Sequence, residues 1–113
     1  THNSSSAASD VYKRQPFGPL VPILTFKTFD EVIERANDND LGLCSYLYTN
    51  SMDKAHIGSE KLESGCVAVN TGVVAIAEAP FGGIKQTGYG REGGSGAIKD
   101  YLNVKYTHMG LKI

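Results

Sequence analysis

The chain has 113 residues, 11 basic and 12 acidic side chains and a formal net charge of −1, so it holds at most one ordinary domain. A near-neutral surface supplies no field to recruit nucleic acid or anionic lipid, and neither is expected as a partner. No apolar stretch reaches the roughly 18 residues that span a bilayer, and the first residues lack the apolar centre of a secretory signal.

Residues 1–15, "THNSSSAASDVYKRQ", are poor in large apolar side chains and rich in Ser and Ala, and they read as a disordered leader or a non-native segment. From Pro16 onward the chain alternates. "PLVPILTF" predicts a first strand centred on residues 23–26, with Pro22 implying an edge position or a bulge. Thr28-Phe29-Asp30-Glu31 has the capping-box form, and Phe29, Val32, Ile33 and Ala36 then fall on one helical face. The polar cluster "NDNDLG" should stop that helix before a second strand at residues 43–49. A second helix follows over residues 52–63, interrupted by Gly58, with Gly65 placed as its C-terminal glycine. "CVAVN", residues 66–70, is a third, wholly apolar strand.

Strand, helix, strand, helix, strand predicts an α/β class: a partial parallel sheet with crossover helices. Two crossover helices cannot cover both faces of three apolar strands, so the sheet reads as incomplete. Beyond a glycine-rich loop, residues 95–101 predict a short helix. Residues 102–108 alternate like a strand that has no partner among the earlier ones. Cys44 and Cys66 each head an apolar run without C-x-x-C spacing or a neighbouring histidine. They read as small buried hydrophobes, which implies a reducing compartment. His2, His56 and His108 have no metal-ligand spacing.

The stretch "APFGGIKQTGYGREGG", residues 79–94, carries six glycines, and "GYGREG" within it spells G-x-G-x-x-G. A dinucleotide fingerprint needs an apolar strand running into its first glycine and an acid about 20 residues further on. A loop precedes Gly88 and nothing acidic follows Asp100, so these glycines are not read as cradling phosphate and need another reason. Gly82 and Gly83 are expected to permit a sharp, positive-φ turn. Gly88, Gly90, Gly93 and Gly94 are expected to let the chain pass close to neighbouring backbone. Lys85, Arg91 and Glu92 are read as structural ion-pair partners of this loop.

"PFGP" at 16–19, "VNTG" at 69–72, the glycine-rich stretch and the closing "DYLNVKYTHMG" together resemble the C-terminal quarter or fifth of an NAD(P)-dependent aldehyde dehydrogenase. They are similar to the succinate-semialdehyde dehydrogenase branch of that family. The resemblance implies oxidation of an aldehyde to a carboxylate through a cysteine thiohemiacetal, with NAD or NADP as hydride acceptor. The family's nucleophilic Cys, its general-base Glu and its nucleotide-binding motifs are not among these residues, so the fragment is expected to be inactive alone. The family's Glu-x-Phe-Gly-Pro maps onto Gln15, Phe17, Gly18 and Pro19. This implies that Phe17 contacts the nicotinamide, while Gln15 replaces the acid that would hold its ribose. Val73 and Ala75 fall on the loop that walls the aldehyde pocket, and Phe81 matches a pocket-lining aromatic. At Ala75 the succinate-semialdehyde branch usually carries a Ser that helps to hold the substrate carboxylate. Ala75 leaves a related semialdehyde, or a less polar aldehyde, open as substrate.

The expected organisation is a leader over 1–15, a partial catalytic domain over 16–96, and a helix with an oligomerisation arm over 97–113. The expected partners are a small aldehyde and neighbouring subunits of a homo-oligomer, in the cytoplasm or the mitochondrial matrix. The alternative is a non-catalytic α/β assembly or binding module derived from the family.

Overall fold

The computed structural model describes residues 18, 19 and 21–111. The expected leader and Phe17 lie outside the described residues. In chain order the elements are helix α1 (Phe29–Asn37), strands β1 (Leu41–Gly42) and β2 (Cys44–Leu47), helix α2 (Met52–Lys61), strands β3 (Cys66–Val69) and β4 (Ile84–Lys85), and a 3-10 turn (Ala97–Tyr101).

Local chemistry accounts for both helices. The Thr28 hydroxyl accepts from the Glu31 N–H at 3.2 Å, as a capping residue should. The Glu31 carboxylate reaches one residue further back than a capping box requires, accepting from the Lys27 N–H at 2.8 Å. It also pairs with Arg35 at 2.7 Å, and Arg35 donates to the Thr25 carbonyl at 3.0 Å, pinning the preceding extended segment to α1. Ser51 caps α2 in the same way, accepting from the Lys54 N–H at 3.3 Å. Gly58 is buried on α2, where an added Cβ would stand 2.5 Å from Leu47 Cδ2 and 3.3 Å from the Phe29 ring. The glycine that weakens the helical pattern thus lets α2 seat against β2 and α1.

The three-stranded parallel sheet expected from the sequence is replaced by two two-stranded sheets. β2 and β3 pair in parallel around the α2 crossover, with Cys44 opposite Cys66 and Leu47 opposite Val69. β1 pairs antiparallel with β4, Leu41 opposite Lys85. The expected strand at 23–26 is not a strand. Residues 21–26 are exposed, with Ile23 at 86%, Pro22 offers no amide donor, and no described strand runs beside them. The second expected strand, residues 43–49, is the shorter β2, and β1 lies just before it, separated by Leu43 because the two strands serve different sheets. Helix α2 ends at Lys61, with Leu62 extended as its cap, so Gly65 is not its C-terminal glycine. The expected helix at 95–101 is the shorter 3-10 turn. Residues 102–111 form no ladder with any described strand and are exposed throughout, Val104 fully so.

Among the described residues only Ile33 and Ala68 are buried hydrophobic side chains. A domain of this length ordinarily buries far more, so most of the apolar surface here faces outward. No helix of the described residues is long and apolar enough to cross a membrane.

Candidate functional site

The site grows from the end of the parallel ladder. Asn70 follows β3 with φ 56°, a left-handed conformation that asparagine tolerates better than most residues. Its side chain accepts from the Thr49 N–H and donates to the Thr49 carbonyl, both at 2.9 Å, which locks the last rung and turns the chain outward. Residues 71–80 then form an open loop. Thr71 Oγ1 accepts from the Val73 N–H at 3.2 Å, and a turn closes from the Ala79 N–H to the Ile76 carbonyl at 3.3 Å. Val73 and Ala75 stand exposed on this loop.

Phe81 is held by its own backbone. Its N–H donates to the Glu92 carbonyl and its carbonyl accepts from the Glu92 N–H, both at 2.7 Å, so the two ends of the glycine-rich stretch clasp each other. Beyond the clasp the chain passes over the loop that carries Val73 and Ala75. The Gly94 N–H donates to the Ala77 carbonyl at 2.9 Å, and a Cβ on Gly93 would stand 2.8 Å from the Ala79 carbonyl oxygen. Gly93 and Gly94 also take φ of 66° and 64°, which glycine alone reaches without strain. Gly82 and Gly83 were expected to supply positive φ and do not. They are small because the Gly90 carbonyl and the Arg91 side chain crowd Gly82, and the Thr87 side chain and the Gly42 carbonyl crowd Gly83.

Phe81 lines a cleft of about 490 Å³ together with Leu43, Thr87, Tyr89, Arg91 and Tyr101. Val73 and Ala75 do not line this cleft. The structure therefore ties the loop that carries Val73 and Ala75 to the glycine-rich stretch through the Gly94–Ala77 hydrogen bond but gathers only Phe81 into the cleft. The expected nicotinamide contact, Phe17, lies outside the described residues.

The charged residues divide. Lys85 Nζ pairs with Glu63 Oε2 at 2.5 Å and donates to the Asn37 and Asn39 carbonyls, each at 2.9 Å, so its three protons are all used. The ion-pair reading holds for Lys85, with two carbonyls at the negative end of α1 added. Arg91 instead donates to carbonyls, to Gly83 at 2.7 Å and Gly90 at 2.9 Å, and its backbone N–H donates to Asp100 at 3.3 Å. Glu92 serves through its backbone. Sequence reasoning missed Asn37, whose amide donates to the Lys61 carbonyl and accepts from the Glu63 N–H, both at 2.8 Å, tying the ends of α1 and α2. Its place at the end of a capped helix was the only available signal.

The two cysteines, read from sequence as separate buried hydrophobes, are half-buried, reduced neighbours on adjacent strands. The Cys66 thiol donates toward the Gly82 carbonyl at 3.9 Å. Partial burial pushes the Cys44 thiol up, and the nearby charge and hydrogen bond of Cys66 add to the shift. Among the described residues no group of three or more His, Cys, Asp or Glu side chains could hold a metal ion.

The glycine-rich stretch does not fit a nucleotide pyrophosphate. β4 precedes Gly88 by a turn, the segment after Gly93 is a 3-10 turn and not an α-helix, and Arg91 is committed to carbonyls of its own loop. What this part of the chain supplies is shape: a clasped aromatic, a crossing backbone and an open loop.

Comparison with known proteins gives this geometry a context. Residues 3–107 match the family described as "Aldehyde dehydrogenase family". The chain is similar to the succinate-semialdehyde dehydrogenase [NADP(+)] of Escherichia coli K12, with 45% identity over 105 residues covering 93% of this chain and 22% of that protein. It is similar also to a glutarate-semialdehyde dehydrogenase of Pseudomonas putida, with 48% identity over 96 residues covering 85% of this chain and 20% of that protein. A crystal structure described as an E. coli NADP-dependent enzyme superimposes with a TM-score of 0.84 at 45% identity, covering 93% of this chain and 22% of that one. The chain thus spans about a fifth of the length of the relatives it matches.

Proposed function

Because the chain belongs to the aldehyde dehydrogenase family, we propose that it forms the C-terminal part of an oxidoreductase that oxidises a semialdehyde to a dicarboxylate with NAD(P)+. The observation that carries this reading is the likeness, over nearly the whole chain, to two enzymes named for semialdehydes. In this assignment residues 16–96 belong to a catalytic domain whose sheet is continued by strands from the rest of the protein. Residues 97–113 are a short helix and an oligomerisation arm. Phe81, Val73 and Ala75 wall the aldehyde pocket, and Phe17 lies against the nicotinamide. Nucleophile, base and nucleotide fold belong to other segments, so the 113 residues alone turn over no aldehyde.

The wall residues act by shape. The clasp to Glu92 fixes where the Phe81 ring begins, which costs nothing at the moment a substrate binds. Ala75 offers no donor to a distal carboxylate, so succinate semialdehyde is held less firmly than by a Ser in that place.

A chimera tests the assignment: the E. coli relative with its C-terminal fifth replaced by residues 16–113. It should oxidise semialdehydes, and Ala75→Ser within it should raise kcat/KM for succinate semialdehyde about 5- to 150-fold, the equivalent of about 1–3 kcal/mol for one added hydrogen bond. A chimera that assembles and oxidises none of succinate semialdehyde, glutarate semialdehyde or an uncharged aldehyde of equal length overturns the reading.

The exposure of residues 102–111 favours one further reading, a non-catalytic module that joins longer subunits through this segment. Co-sedimentation of the 113-residue chain with the E. coli relative, without any gain or loss of turnover, would favour it.

A further inference from the structure

We propose that Cys44 and Cys66 are a reversible dithiol–disulfide site whose oxidant is a low-molecular-weight disulfide of the glutathione class. They occupy the first rung of the β2–β3 ladder, directly opposed in parallel register. Neighbouring strands lie about 4.8 Å apart, within the range of about 4.4–6.8 Å between Cα atoms that a disulfide spans. Paired positions of in-register parallel strands project to the same face of the sheet. Both thiols are reduced and half-buried, which leaves them open to a small reagent.

The ladder also sets the character of the bond. A disulfide draws its Cβ atoms to about 3.8 Å, closer than the strand spacing, so the rung must pinch to accept it. A bond formed at that cost reduces readily and belongs to the labile class, not to the structural one.

The exchange proceeds in two steps. The Cys66 thiolate attacks one sulfur of the oxidant, breaking its S–S bond, forming a mixed disulfide and releasing a thiolate that takes up a proton. The Cys44 thiolate then attacks the Cys66 sulfur, closing Cys44–Cys66 and expelling the second thiol. Two protein thiols are oxidised by two electrons and one small disulfide is reduced to two thiols. Cys66 leads because partial burial and the adjacent Cys66 keep the Cys44 thiol protonated to higher pH. Closure rings α2 within a covalent loop. It also removes the S–H that faces the Gly82 carbonyl, so the state of the pair is felt at the turn beside Phe81.

The test, which rests on the assignment above, equilibrates the chimera, whose remaining strands complete the sheet, across ratios of reduced to oxidised glutathione, quenches by alkylation and maps the linked peptides by mass. The equilibrium constant for Cys44–Cys66 closure should be at least about tenfold larger in buffer than in concentrated urea, because held neighbours raise the effective thiol concentration. Leu47→Pro, which breaks the ladder, should bring it down toward the urea value. Equal constants in buffer and urea, or mixed glutathione disulfides on each cysteine without a Cys44–Cys66 link, overturn the proposal.

Discussion

Lys85→Met keeps the aliphatic stem and removes three donors, so it asks whether the ion pair or the carbonyls hold β4 in place. Glu63 has 53% of its side chain exposed, and exposed pairs contribute about 0.2–1 kcal/mol. The two carbonyl bonds come from an ammonium group whose side chain is only 25% exposed. Hydrogen bonds to charged groups contribute about 1.5–3 kcal/mol, and partial exposure argues for about 1 each, so with the pair included Lys85→Met should cost the β1–β4 contact about 2–3 kcal/mol. Glu63→Gln should cost less than about 1 kcal/mol, since the carbonyl bonds survive it. The Gln86 amide donates to the Asp40 carbonyl at 2.9 Å and reports local opening there. Hydrogen exchange in the chimera, followed by mass spectrometry, should accelerate at the peptide carrying Gln86 about 30- to 160-fold in Lys85→Met and less than about fivefold in Glu63→Gln. The peptide carrying the Ala55 amide in α2 should not change. If Glu63→Gln accelerates exchange as much as Lys85→Met, the pair dominates and the reasoning is wrong.

Three further outcomes are expected. The Lys27 N–H holds the Glu31 carboxyl below its ordinary range; desolvation, next in size, opposes it, and Arg35 and the Thr28 backbone each add a lesser lowering. Its contribution to α1 is therefore present above the unfolded carboxylate pKa and lost as pH falls through the lower folded value; circular dichroism should show acid loss of helix that Glu31→Gln shifts or abolishes. Gly93→Ala should destabilise the loop by about 2 kcal/mol or more through left-handed strain and the crowded Ala79 carbonyl, whereas Gly96→Ala, with open space around it and φ −86°, should be near neutral in thermal melts. Val104→Pro in the chimera should weaken subunit association across a dilution series in sedimentation while leaving KM unchanged, and an unaltered oligomer would refute the arm assignment.

The helices were legible because their evidence is local: a capping hydroxyl at Thr28 and apolar positions three and four apart survive whatever lies around them. β2 and β3 were legible as short apolar runs for the same reason. β4 was not, because Ile84 and Lys85 sit between Gly83 and Thr87 in a stretch with every mark of a loop, and only β1, far back in the chain, makes a strand of them. The error at residues 23–26 has the converse cause, since β-branched composition proposes a strand but a neighbour must accept it. In the site, the crossing at Gly93 and Gly94 could be read from residue type, the same expectation fails at Gly88, which has open space around it, and Phe81 was singled out only by the family resemblance. Composition could not tell that Val73 and Ala75 stand outside the Phe81 cleft, that Arg91 binds carbonyls, or that Cys44 faces Cys66. Each depends on register or on chain crossing, which no single stretch encodes.

The two-residue β1–β4 ladder has a consequence for how the chain is made. Leu41 and Gly42 leave the ribosome well before Ile84 and Lys85, and at about 5–20 residues per second the interval is roughly 2–9 s. Through that interval β1 is an unpaired edge, open to any passing strand. Asp40 lies immediately before it, and a carboxylate at a strand edge discourages wrong pairing. When β4 emerges, Lys85 carries the one positive charge of its strand to the carbonyls of Asn37 and Asn39 beside that carboxylate. The carbonyls at the end of α1 thus hold the late-arriving partner, and the wall around Phe81 is finished only once β4 is seated.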